Sequence, residues 1–134
     1  MLKEITSLKA YNYFLYNMQD VSARLIDVRT ETEWIEYGYP DLKENVSCLL
    51  LSLYMSPKFD INIDFDKKLT INIQNKDTYL LFLCKSGQRS ALAGQNAVNL
   101  GYVNCYNIVD GFSGNQYGMG WKNSNLPIKF MQVK

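Results

Sequence analysis

The chain has 134 residues, 47% of them hydrophobic and 20% charged, which is the size and make-up of one compact globular domain and not of a disordered segment. Its formal net charge of +1 supplies no field that would draw nucleic acid or an acidic partner. There is no histidine, which removes Ser-His-Asp and Cys-His hydrolases and nearly every common zinc site. The opening stretch MLKEITSLKAYNYF is broken by Lys3, Glu4 and Lys9 and has no apolar run of the secretory kind. The most apolar segment, Cys48 to Met55, is far too short to span a bilayer. A single domain over residues 1–134, cytoplasmic and off the membrane, is therefore expected.

Thr6 or Ser7 can cap a first helix, along which Leu8, Tyr11, Leu15 and Met18 recur at helical spacing. Arg24 to Val28 reads as a short buried strand with a polar tip at Asp27 and Arg29. Thr30 can cap a short helix through Glu31, Glu33, Trp34 and Ile35, which Gly38 and Pro40 stop. Val46 to Leu51 is a second buried strand, and Pro57 marks a loop. From Asp60 to Ile73 two periods compete. Ile61, Ile63 and Phe65 alternate as in a strand, while Ile61, Phe65, Leu69 and Ile73 fall four apart as on a helix. The alternation of strands and helices around this segment favours helix.

Tyr79 to Leu83 is apolar throughout, as in a central parallel strand covered on both faces. A polar loop follows, then a helix from Ser90 to Leu100, closed by Gly101. Asn104 to Val109 is the last strand, Asp110-Gly111 turns the chain, and a short helix approaches Trp121. The tail from Asn125 to Lys134 either packs through Leu126, Pro127, Ile128 and Phe130 or hangs loose. This order predicts an α/β domain with a mainly parallel sheet. In such sheets function collects at the carboxyl ends of the strands. Two polar tips lie there: Asp27 with Arg29, and the loop that starts at Cys84.

The loop Cys84-Lys85-Ser86-Gly87-Gln88-Arg89-Ser90 joins a buried strand to a helix. Its N–H groups can curl around one point that faces the positive end of the helix dipole. Gly87 permits the backbone of such a nest, and Lys85 and Arg89 add positive charge. These surroundings favour a thiolate, and any anion bonded to its sulfur. Cys48 and Cys105 sit in apolar runs and read as small core residues, with Cys105 the candidate for a resolving thiol. An odd number of cysteines, without a CxxC unit, argues against a disulfide framework. Trp34 and Trp121 read as packing. Arg29 and Glu33 are four apart, which predicts an ordinary ion pair. Asp27 is expected to accept hydrogen bonds from the loop or from Arg89, or else to cap the Thr30 helix.

The loop CKSGQRS, placed after LLFL, resembles the active-site loop of the rhodanese family. LIDVRTETEW resembles that family's stretch ending the second strand, and GYVNCYNIVDGFSGNQYGMGWKNSNLP resembles its closing strand, glycine turn, tryptophan and Leu-Pro. The likeness runs from about Ile5 to Pro127 in the right order. It implies a three-layer domain with a central, mainly parallel sheet flanked by helices. It also implies a sulfurtransferase needing no metal or organic cofactor. Cys84 matches the nucleophile that forms a persulfide. Lys85, Ser86, Gly87, Gln88 and Arg89 match the cradle around the transferred sulfur, which Ser90 closes, and Asp27 and Arg29 match a supporting pair. The implied donor is thiosulfate or a protein persulfide, and the acceptor cyanide, a thiol or a protein.

Other readings stay open at this point. A sulfur-relay or interaction module with little thiosulfate activity would share the fold. Phosphatases and arsenate reductases of related fold use a C-x5-R loop, whereas Cys84 to Arg89 is C-x4-R. The chain also departs from the family pattern at Tyr39, after Gly38, at Leu83, and at Asp110 before Gly111. Tyr39, Lys85 and Gln88 are expected at the mouth of the loop, where they would meet a substrate.

Overall fold

The computed structural model describes residues 1–16, 22–42 and 48–131. The first half of the chain forms β1 (Lys3–Ile5), α1 (Ser7–Tyr16), β2 (Ala23–Asp27), α2 (Glu31–Tyr37), β3 (Tyr39–Pro40), β4 (Leu49–Leu50), β5 (Tyr54–Met55) and β6 (Asp60–Ile61). The second half forms α3 (Phe65–Asn72), β7 (Tyr79–Leu83), α4 (Gln88–Asn99), β8 (Asn104–Ile108), α5 (Gly120–Asn123) and β9 (Ile128–Lys129). A five-stranded sheet runs in the order β1-β8-β7-β2-β4, with every pairing parallel. β3 with β9 and β5 with β6 make two antiparallel ribbons.

β7 lies at the middle of the sheet and feeds two cores, because successive side chains of a strand point to opposite faces. Leu80 and Phe82, with Cys84 just beyond, join Ile26, Leu69 and Ala93 on one face. Leu81 and Leu83 join Leu25, Phe14 and Trp121 on the other. Helices α3 and α4 therefore cover one face, and α1 and α5 the other. This is the three-layer α/β domain that the sequence predicts. Since all five strands are parallel, β2 and β7 end together. Asp27 is the register partner of Leu83, and the Val28 N–H donates to the Leu83 carbonyl at 2.8 Å. The two polar tips are thus neighbours.

Several boundaries differ from expectation, each for a physical reason. β1 is not legible as a strand, because three residues with two charges carry no period; as an edge strand it tolerates both. On α1 the buried residues are Ser7, Ala10 and Phe14, whereas Leu8 is exposed. The Ser7 N–H and hydroxyl are both held by Asp110, which sets the rotation of the helix. Met18, also expected on that face, lies outside the described residues. The ambiguous segment divides: Asp60–Ile61 is strand, and Phe65–Asn72 is helix. Phe65, Leu69 and Ile73 are buried on one helix face, while Ile61 and Ile63 are exposed. The strand expected over Val46 to Leu51 is seen at Leu49–Leu50, its first two residues lying outside the described ones. The tail packs through β9 and the buried Leu126, while Phe130 is exposed.

No helix among the described residues is long and apolar enough to cross a membrane. These residues also hold no group of Cys, Asp and Glu placed to take a metal ion.

Asp110 is a buried carboxylate, 2% exposed, that accepts from the Ser7 N–H at 2.8 Å, the Ser7 hydroxyl at 3.0 Å and the Gly120 N–H at 2.9 Å. It joins the start of α1 to the start of α5. Removing the carboxylate leaves two buried N–H groups without acceptors. Asp110→Ala is expected to cost about 2–4 kcal/mol in urea unfolding, at about 1–3 kcal/mol for each orphaned group. A loss below about 0.5 kcal/mol, the level of an ordinary surface change, would contradict this role.

Candidate active site

Cys84 follows β7 directly and is 1% exposed. Its Sγ accepts from the Gly87 N–H at 3.2 Å and lies 3.2 Å from the Ser90 hydroxyl. The geometry of the loop comes from outside it. The Cys84 carbonyl accepts from the Phe112 N–H at 2.8 Å, and that of Lys85 from the Ser113 N–H at 3.0 Å. The Ser86 carbonyl accepts from Asn115 Nδ2 at 2.9 Å, and that of Gly87 from Asn107 Nδ2 at 3.0 Å. Four consecutive carbonyls are thus held by β8 and the segment that follows it. In a planar trans peptide the following N–H points the opposite way. The N–H groups of Lys85 through Gln88 therefore turn away from that segment, and Gly87's reaches the sulfur.

Two glycines make the close approach possible. Gly87 has φ +93°, and a Cβ there would meet the Val109 carbonyl oxygen at 2.5 Å. Gly111 has φ +64°, and a Cβ there would meet the Lys85 carbonyl oxygen at 2.3 Å. Both positions reject any residue with a side chain.

Asn107 and Ser90 form a chain behind the cysteine. Because Asn107 Nδ2 donates to the Gly87 carbonyl, its Oδ1 faces Ser90, whose hydroxyl donates to it at 2.5 Å. The Ser90 proton is thereby committed, which leaves the Ser90 oxygen to accept from the Cys84 thiol. Asn107 is not legible as a site residue in the sequence, since one asparagine in the apolar run of β8 carries no motif. Its only signal is its polarity on a strand whose other buried residues are Cys105 and Ile108.

The arginines pair differently from the sequence reading. Arg29 does not meet Glu33, and Asp27 does not receive the loop or Arg89. Instead Arg29 forks onto Asp27, with Nε at 3.0 Å from Oδ1 and an end nitrogen at 2.7 Å from Oδ2, and also donates to the Gly38 carbonyl at 2.8 Å. Its guanidinium centre lies 3.9 Å from the centre of the Phe112 ring. A buried guanidinium without a carboxylate is costly, so the nearest acceptor across the strand end takes it. Arg89 pairs with Glu33 through two bonds of 2.7 and 3.0 Å. Glu33 also closes a capping box: its N–H donates to Thr30 Oγ1 at 3.2 Å, and its Oε1 accepts from the Thr30 N–H at 3.1 Å. The T-x-x-E spacing is the signal that singles out Glu33 in the sequence.

Two hollows flank the loop. One, of about 670 Å³, is lined by Lys85 and Arg89 together with Glu33, Phe59, Phe112 and Lys122. The other, of about 550 Å³, is lined by Ser86, Gly87, Gln88, Asn107 and Tyr117. Lys85 lines the first of these hollows and Gln88 the second. Tyr39 lines neither; it pairs with Lys129 in the β3–β9 ribbon. Cys84 itself lines neither.

Neither other cysteine can resolve Cys84. Cys105 is the register partner of Leu80, four residues back along β7, or about 13 Å at ~3.3 Å per residue. A disulfide needs Cα atoms within about 7 Å. Cys48 packs against the opposite face of the sheet. Burial raises the Cys105 thiol to about 11. Burial, with the Asp27 charge second, pushes the Cys48 thiol well above its ordinary value.

The profile of the rhodanese-like domain matches residues 11–116, and the chain belongs to that family. It is 42% identical over 130 residues to the uncharacterized protein RP600 of Rickettsia prowazekii, covering 97% of this chain and 99% of that one. Its fold is similar to the crystal structure of Rv0390 from M. tuberculosis, with a TM-score of 0.77 and 31% identity over 95% of this chain and 96% of that one. The polysulfide-sulfur transferase homodimer of Wolinella succinogenes is similar in fold, at TM-score 0.66 and 22% identity, over 97% and 80% of the two chains. So is RPA3614 of Rhodopseudomonas palustris, described as a possible tyrosine phosphatase, at TM-score 0.63 and 18% identity, over 96% and 85%.

Burial alone would raise the Glu33 carboxyl, but hydrogen bonds from Arg89 and from the Thr30 N–H outweigh it and hold the group below its ordinary value. A lowered folded value contributes stability above the unfolded value, near about 4.3, that is lost as pH falls through the folded one. Glu33→Gln abolishes this contribution. The stability gap between wild type and Glu33→Gln is therefore expected to shrink between about pH 5 and pH 3 in urea unfolding. A gap that stays constant over that range would show that the ion pair does not form.

Proposed function

We propose that this rhodanese-like protein is a sulfurtransferase that carries a sulfane sulfur as a persulfide on Cys84. The observation that carries the reading is the outward hold on four loop carbonyls, which turns the loop's N–H groups toward the cysteine side. In the first half-reaction the Cys84 thiolate attacks the outer sulfur of a donor, thiosulfate or a persulfide. The bond from that sulfur to the rest of the donor breaks, and its electron pair leaves with the donor's remainder, sulfite or a thiolate. The outer sulfur of Cys84–S–S⁻ is then stabilised by fixed N–H dipoles, as an oxyanion hole stabilises oxygen. In the second half-reaction a nucleophilic acceptor takes this sulfur and restores the thiolate. A covalent intermediate between two half-reactions gives ping-pong kinetics.

The buried position of Cys84 makes access part of the mechanism. The side chain turns from Ser90 toward the loop mouth to receive sulfur. With no second thiol in reach, the sulfur passes to an external acceptor and not to a partner cysteine of the same chain. Asp27, Arg29, Asn107 and Ser90 act by holding the two strand ends and the loop. Lys85, Ser86, Gly87, Gln88 and Arg89 frame the path of the substrate. Three unpaired cysteines suit a reducing compartment, so the cytoplasm is the proposed place of action.

Two features favour sulfur over phosphate. The C-x4-R loop is one residue shorter than the phosphatase loop, so its ring of amides converges on one atom instead of surrounding a tetrahedral ion. Arg89, the residue a phosphatase would turn onto its substrate, is turned onto Glu33.

Intact-mass analysis after treatment with polysulfide tests the reading. Wild type is expected to gain one sulfur that dithiothreitol removes, and Cys84→Ser none. Iodoacetamide at about pH 7 should modify Cys84 at least about ten times faster than Cys48 and Cys105, whose surroundings hold their thiols protonated. Aryl phosphate hydrolysis should be negligible. Sulfur loading of Cys84→Ser, or ready phosphate hydrolysis without sulfur loading, would overturn the assignment.

A further inference from the structure

The amide of Asn107 is used at both ends, and that fixes which way the protons behind Cys84 point. Its Nδ2 donates to the Gly87 carbonyl at 3.0 Å, so its Oδ1 is the end left for Ser90, 2.5 Å away. Two oxygens at that distance need a proton between them, and the amide oxygen has none to give. The Ser90 hydroxyl therefore donates to Asn107. A flipped amide would set two acceptor oxygens against each other at Gly87. No solvent competes for the Ser90 proton, since Ser90 is 0% exposed and Asn107 6%.

What Ser90 has left is its lone pairs, 3.2 Å from the Cys84 sulfur. A lone pair aimed at sulfur stabilises S–H and opposes S⁻. This is the reverse of a hydroxyl that donates to a thiolate. The Gly87 N–H, also at 3.2 Å, is a donor and favours S⁻. The buried sulfur thus has one partner for each protonation state. Asn107, from the neighbouring strand β8, governs both. It holds the Gly87 carbonyl, and it turns the Ser90 proton away from the sulfur.

Resting on the Cys84 persulfide reading, we propose that Asn107 is a positioning residue that makes Ser90 a brake on the nucleophile. By taking the Ser90 proton it stores the resting Cys84 as a thiol on Ser90. The sulfur becomes a thiolate as it turns to the loop mouth, where its proton passes to solvent. Storage protects the cysteine. The thiolate is the form that oxidants and electrophiles attack. Neither Cys48 nor Cys105 is placed to capture an oxidised Cys84 as a disulfide.

The sign of one substitution tests this. Alkylation of Cys84 by iodoacetamide is followed against pH in the full chain, through the mass of the peptide that carries Cys84. The midpoint of the profile reports the proton on sulfur, and the plateau at high pH reports access to it. Ser90→Ala removes the acceptor of the S–H. The midpoint is expected to move down, with alkylation well below it at least about threefold faster. In an Asn107→Leu background the Ser90 proton is free to point at sulfur. There the same Ser90→Ala change is expected to move the midpoint up. Both members of that comparison lack the amide at Gly87, so its loss cancels. The charged groups nearby, Lys85 and Arg89 on the loop and the matched Asp27–Arg29 pair at the end of β2, are the same in all four proteins. A midpoint that rises or stays in place in Ser90→Ala, or shifts of the same sign in both backgrounds, would overturn the brake. Should Asn107→Leu fail to fold, the sign in Ser90→Ala alone decides. The readout is the thiol itself, so a Cys84 that shows the brake and takes no sulfur from polysulfide would overturn the persulfide reading and leave the brake standing.

Discussion

The carbonyls of Cys84, Lys85, Ser86 and Gly87 cannot face the cysteine, because donors on the segment from Asn107 to Asn115 hold each of them from outside. The rest of the carboxyl edge depends on that constraint. Peptide planarity converts outward carbonyls into inward amides, so the loop cannot relax into a form with acceptors around the sulfur. The cost of breaking one bond is an unsatisfied carbonyl against a packed neighbour. The glycine turn after β8 is part of the same device, since a Cβ at Gly111 would displace the Lys85 carbonyl.

Two ion pairs frame this loop, and they do different things. Arg29 and Asp27 are almost wholly buried. Removing two charges from water is expensive, so the pair is poorly explained as a source of stability. It is better explained by position. It fixes the end of β2, ties that end to Gly38 beyond α2, and places a guanidinium on Phe112, whose N–H holds the Cys84 carbonyl. Arg89 and Glu33 are part exposed and join the first turns of α4 and α2. Glu33 can serve both its helix cap and Arg89 because a carboxylate accepts several bonds at once.

The two pairs also shape the electrostatics of the hollow above. Each arginine arrives with its carboxylate, so neither adds net charge beside the loop. Asp110 belongs to the same economy of buried carboxylates. It stands where the family pattern often has a glycine, and it accepts from both the α1 and the α5 starts.

The sequence by itself determined the class of fold, the central strand, the cysteine loop and its helix. Each rests on local signals: an unbroken apolar run, a glycine with cations around it, a helix that ends at Gly101. It also marked Thr30 and Glu33 as a helix start. What it could not determine were partners chosen across the fold. Spacing along a helix pointed Arg29 at Glu33, but the parallel register sets Arg29 and Asp27 at one buried strand end and brings Glu33 to Arg89, fifty-six residues away. Asn107 had no local signal at all, because its role exists only where β8 lies beside β7 and the loop returns over it. The separation of the three cysteines was likewise a tertiary decision: alternation along the strands puts Cys48 on one face and Cys84 with Cys105 on the other, and register keeps those two apart. Local chemistry is written in neighbouring residues, whereas long-range pairing follows from register and burial, which the chain acquires only on folding.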